Sequence, residues 1–94
     1  MSTGDSIEII QDPISALRLW RTVISQAMSD ASSEKKYHRV SVATWLLSKD
    51  FERVCDLASL QPEAVRQIIA RLLAETPTRS QEISKRLVSI IENL

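Results

Sequence analysis

The chain has 94 residues, 44% of them hydrophobic, with one glycine, three prolines and one cysteine. That length is one small domain, the apolar content excludes a disordered chain, and so few turn residues exclude a hairpin-rich β-sandwich. Twelve basic and twelve acidic residues cancel, so net charge by itself gives no attraction to nucleic acid, and any phosphate contact has to come from a local patch.

Residues 1–11 read as a flexible acidic arm: Asp5 and Glu8, together with Asp12 at its end, stand among Ile7, Ile9 and Ile10, with no lysine or arginine. The isoleucines suit docking on the body or on a partner. Residues 12–94 read as a single helical domain. Asp12-Pro13 predicts a helix start, because Asp caps well and Pro fits the first turn. Ile14, Leu17, Trp20, Ile24 and Met28 then recur at helical spacing, predicting a helix to about Ser29. Residues 30–39, DASSEKKYHR, are polar and read as a loop, with Lys35, Lys36, Arg39 and His38 concentrated at its end. A short helix follows over 41–47. Ser48 predicts the cap of a third helix, with Asp50 and Glu52 in its first turn, where the helix dipole favours acids. SLQP, residues 59–62, predicts a corner, and Pro62 opens a fourth helix to about Ala74. TPTRS predicts another break, and a last helix from about Ser80 carries Ile83, Leu87, Ile90 and Leu94. The fold class is all-α, a compact bundle of about five helices.

The third and fourth helices, at about 50–74, fit the spacing of a helix-turn-helix. That motif needs a small residue where the helices cross, a tight turn and apolar residues fixing the second helix. Val54 and Cys55 match the anchor and the crossing, Ala58 faces inward, Leu60 plugs the corner, and Val65 and Ile68 hold the second helix. Ser59 stands where glycine is common, which predicts a positive φ at that position. Gln61, Glu63, Arg66, Gln67 and Arg71 are the outward residues. Arg66 can fork onto guanine, and Gln67 can pair with adenine. Glu63 repels phosphate unless it accepts a hydrogen bond from cytosine. The same pattern also describes two packed helices that never meet DNA.

The run WLLSKDFERVCDLASLQPEAVRQ, Trp45 to Gln67, resembles small phage- and prophage-associated proteins of alphaproteobacteria. LWRTVISQAMSDA, Leu19 to Ala31, is similar to their first helix. The shared elements are Trp45-Leu46-Leu47-Ser48, Asp50-Phe51, Val54-Cys55-Asp56-Leu57-Ala58 and Pro62-Glu63-Ala64-Val65-Arg66. The chain departs at Ser59 and Gln61, where the group has Gly and Asp. The resemblance covers about half the chain and implies a mobile-element or regulatory setting rather than an activity.

Other chemistry finds little support. One histidine and one cysteine cannot make a zinc site of the usual type, no Gly-rich phosphate loop is present, and no cofactor or catalytic group is expected. Cys55 reads as a small core residue, and Trp20 and Trp45 as core. Tyr37, between Lys36 and His38, reads as exposed, resting on the surface or free to stack on a base. A single cysteine and the lack of a secretory leader or a long apolar run predict a soluble, cytoplasmic protein.

Two functions therefore stand. The first is a non-enzymatic, double-stranded-DNA-binding regulator of phage or prophage type, with Gln61, Arg66 and Gln67 in the major groove and Arg71, Lys49, Lys35, Lys36 and Arg39 on phosphate. A DNA-packaging accessory would use the same surface. The second is a protein-interaction adaptor binding RNA polymerase or a phage component, with the N-terminal arm as one contact. The stripe Ile83, Leu87, Ile90 and Leu94 either closes the core or joins a second copy in a homodimer.

Overall fold

A computed structural model describes residues 13–93, and these form five helices without a strand. They are α1 (Pro13–Ala31), α2 (Lys36–Leu46), α3 (Lys49–Leu57), α4 (Pro62–Ala74) and α5 (Pro77–Glu92). The expected arm, residues 1–11, lies outside the described residues, as do Asp12 and Leu94. None of the described helices is long and apolar enough to cross a membrane.

α1 is the spine, packing against each of the other four helices. Its buried residues are Ile24, Ser25, Ala27, Met28 and Ala31, so the fully buried part of the expected stripe lies in the C-terminal half, with Trp20 packed partly against the core before it. Ile14, expected on the inward stripe, is 64% exposed, and Leu19 is also largely exposed. Around Ile24 and Met28 the core is closed by Phe51, Cys55, Ile69 and Leu72, all at most 1% exposed. Burying each of the large ones contributes about 1.5–3 kcal/mol.

Several boundaries differ from the sequence reading, each for a local reason. α1 runs two residues past Ser29, because Ala31 is an inward core residue. α2 begins at Lys36, so most of the polar run 35–39 is helical rather than loop. Ser33 starts that helix: its Oγ accepts from the Lys35 N–H at 3.1 Å, and its carbonyl accepts from Arg39 at 2.7 Å. α5 begins three residues before Ser80, with Pro77 in its first turn, where a missing N–H costs nothing. Ser48 does cap α3 as its type predicts, accepting from the Phe51 N–H at 3.2 Å.

Ser80, read as a helix start, is instead completely buried one turn into α5. Its Oγ lies 2.9 Å from the Leu72 carbonyl at the end of α4 and 2.9 Å from Ser32 Oγ. Ser32 Oγ in turn donates to the Met28 carbonyl at 2.9 Å. Two hydroxyls thus close the ends of α1 and α4 against the start of α5, and Gln81 adds a bond from its side-chain amide to the Ser32 carbonyl at 3.2 Å.

Candidate nucleic-acid interface

The corner between α3 and α4 is built from backbone bonds. Ala58 ends α3, its N–H bonding back to the Val54 carbonyl at 2.9 Å. Ser59 then takes φ 56°, the one positive φ among the described non-glycine residues. That left-handed step lets the Ser59 N–H reach the Asp56 carbonyl at 3.0 Å and the Leu60 N–H reach the Cys55 carbonyl at 2.9 Å. This paired closure is the Schellman motif, which usually employs glycine. Leu60 tucks half-buried against the core, and Pro62 opens α4.

The two helices touch at small residues. Cys55 and Ala58 are both fully buried, leaving room for α4 to cross. Burial pushes the Cys55 thiol up to about 11, with the neighbouring Asp56 carboxylate adding to the effect. The thiol is therefore a neutral packing group, not a nucleophile. Val65, Ile69 and Leu72 form the inward stripe of α4, and Ile68, expected in that role, is half-buried at its edge.

The opposite face of α4 presents Glu63, Ala64, Gln67, Ala70, Arg71 and Ala74, with Gln61 just before it. It is slim, because three of the seven positions are alanine. Gln61, Gln67 and Arg71 are exposed as their spacing predicts. Arg66 is not an outward side chain. Its Nε donates to the Leu46 carbonyl at 3.2 Å, its guanidinium lies 5.0 Å from the centre of the Phe51 ring, and a terminal nitrogen pairs with Glu63. The cause is the end of α2, whose last carbonyls lack helical partners and carry partial negative charge. Arg66 satisfies one of them from twenty residues away.

Arg21 of α1 behaves in the same way, donating from Nε to the Ala58 carbonyl at 3.0 Å. Sequence reading missed both roles, because nothing local marks an arginine as the cap of a distant helix. Basic residues following apolar ones on the inner flank of a helix are the only hint.

The expected phosphate contacts fall into two groups. Lys35 and Lys36 are exposed at the start of α2, while Arg39 is half-buried and tied to the Ser33 carbonyl. The bond from Ser80 to Leu72 and its contact with Ser32 link the connection before α2 to the last turns of α4, where Arg71 precedes Leu72. Lys49 is exposed at the start of α3, beyond the Leu46–Arg66 junction. α3 itself exposes Asp50, Glu52 and Asp56 alongside Lys49 and Arg53, so its outer surface carries both signs of charge. Tyr37 is 63% exposed, packed edge-on to His38 with ring centres 4.2 Å apart, and His38 Nδ1 lies 3.0 Å from Ser33 Oγ.

Trp45 is half-buried rather than core, its indole N–H bonded to Asp50 at 2.8 Å and its ring edge-on to Phe51. Ile83 and Leu87 pack partly on the core, and Ile90 is 58% exposed. Among the described residues no group of His, Cys, Asp and Glu is placed to hold a metal ion. No family model matches the chain, and neither a curated protein nor a solved structure matches it.

Proposed function

We propose that the chain is a non-enzymatic DNA-binding protein in which α3, the Ser59 corner and α4 act as a helix-turn-helix. The observation that carries the reading is the face of α4. It is slim and polar, and its one acid, Glu63, is paired with Arg66, which removes the repulsion an unpaired carboxylate would bring to a phosphate-lined groove. Gln67, Arg71 and Gln61 are then the base-reading residues, and Arg66 holds the helix in position. Lys35, Lys36 and Lys49 supply phosphate contacts, with Arg39 orienting the start of α2. With the resemblance of residues 45–67 to phage-associated proteins, this makes the chain a small transcriptional regulator of mobile-element type. Selection of genomic fragments at physiological salt, followed by sequencing, tests it. The expected result is an enriched motif that is lost in Gln67→Ala and Arg71→Ala. A folded protein that enriches nothing would sink the reading.

A second reading, the protein-interaction adaptor, is favoured by one surface. Tyr37, Val40, Thr44 and Leu47 line the outer side of α2 at steps of three and four, and Leu47 is 87% exposed. Stripes of that kind bind partner proteins. Leu47→Glu separates the two readings: an adaptor would lose its partner, whereas the DNA-binding protein would keep its enriched motif.

A further inference from the structure

On the outer face of α4, Ala64, Gln67, Arg71 and Ala74 are all exposed and follow one another at steps of three, four and three. They form a single ridge along the helix. In the major groove, thymine shows its C5 methyl, adenine its N6 and N7, and guanine its O6 and N7. A small apolar side chain suits the first, a side-chain amide the second and a guanidinium the third.

What the ridge lacks decides which bases it can read. Arg66 is the one guanidinium in the first two turns of α4, and it is bonded to the Leu46 carbonyl and paired with Glu63. That half of the helix therefore has no cation left to fork onto guanine. Glu63, the residue that could accept from cytosine N4, turns a carboxylate oxygen to Arg66 instead. Ala64 and Gln67 remain, with Gln61 at the N-cap as a second amide. Recognition helices contact bases chiefly from their N-terminal residues, so these stand foremost and Arg71 follows a turn later. Ala64 and Gln67 are roughly 4.5 Å apart along the axis, close to the roughly 3.4 Å step between base pairs. They address neighbouring pairs.

We propose, resting on the DNA-binding reading above, that α4 reads a core of A·T pairs. Gln67 bonds to N6 and N7 of an adenine, Ala64 packs on the thymine methyl of the adjoining pair, and guanine is read only at the edge of the site, by Arg71. The test is selection from a random duplex pool by the full-length protein, then competition with modified duplexes at fixed salt. Adjoining A·T pairs beside one G·C pair are expected in the enriched motif. Replacing the adenine by 7-deazaadenine should weaken binding about fivefold. Replacing the thymine by uracil, which lacks the methyl, should weaken it about fourfold. Gln67 is exposed, and Gln67→Arg should shift the preference at the adenine toward G·C by about tenfold while the neighbouring pair stays A·T. G·C pairs at the centre of the motif, indifference to both modified bases, or the parent's preference in Gln67→Arg would each overturn the A·T core while leaving DNA binding in place. A folded parent that enriches no motif overturns the DNA-binding reading itself, and the A·T core with it.

Discussion

Ser59 adopts the left-handed conformation with a side chain that disfavours it, and Arg66 spends its hydrogen bonds on the protein's own backbone. Both facts give measurable expectations. Ser59→Gly relieves the contact between Cβ and the following carbonyl and should raise stability by about 1 kcal/mol in urea unfolding. Arg66→Ala leaves the Leu46 carbonyl without its charged donor and uncovers Phe51. It should cost about 1–3 kcal/mol in the same assay, whereas an outward Arg66 would have left stability untouched. Cys55 titrates the fold from the alkaline side. Its thiol is raised from about 9 to about 11, so the folded chain keeps a proton that the unfolded chain releases. The associated stability is complete below pH 9 and is lost as pH rises through 11. Comparison with Cys55→Ala isolates this slope from other alkaline titrations, and equal slopes in the two proteins would refute it.

Among the elements, α3, the corner and α4 were legible because their signals are local. A serine cap, a proline at the first turn and the spacing of Val54, Cys55, Ala58 and Val65 each act within a few residues. The left-handed step at Ser59 was legible for the same reason. α2 was misread at its start because its first turn, Lys36 to Arg39, is largely surface and shows no apolar period; the bonds from Ser33 that begin the helix leave no hydropathy trace. Ser80 was read as the approximate start of the last helix because it follows the break at TPTRS, and only the assembled fold brings it to Ser32 and Leu72. That network makes a prediction for the junction of α1, α4 and α5. Ser80→Ala should cost about 1–3 kcal/mol by leaving buried polar groups unpaired. Adding Ser32→Ala should cost less than the sum of the single losses, because the two hydroxyls share one network. Strict additivity in a double-mutant cycle would show the hydroxyls to be independent.

For the whole molecule, charge decides how DNA binding is measured. The chain is neutral, with twelve charges of each sign, so long-range attraction is weak and affinity must come from close contacts. Log affinity for duplex DNA should fall linearly with log salt, with a slope of about −0.9 per phosphate neutralised. Lys36→Ala or Lys49→Ala should each reduce that slope by about one and weaken all sequences alike. A slope indistinguishable from zero in the parent would move the weight to the adaptor reading. The candidate site was only partly legible, since sequence spacing puts Arg66 on the outer side of α4 while the fold turns its guanidinium back toward the end of α2.

The bonds from Arg21 to Ala58 and from Arg66 to Leu46 reach across 37 and 20 residues. In a chain with one glycine, the C-terminal ends of α2 and α3 each receive, besides their local backbone bonds, a donor from an arginine elsewhere in the sequence. α2 and α3 therefore each have one terminal carbonyl that is satisfied only when α4 or α1 is packed against them, in addition to their local caps. Loosening α1 or α4 would therefore release a carbonyl at the end of α3 or α2, which ties the corner to the two helices that flank it.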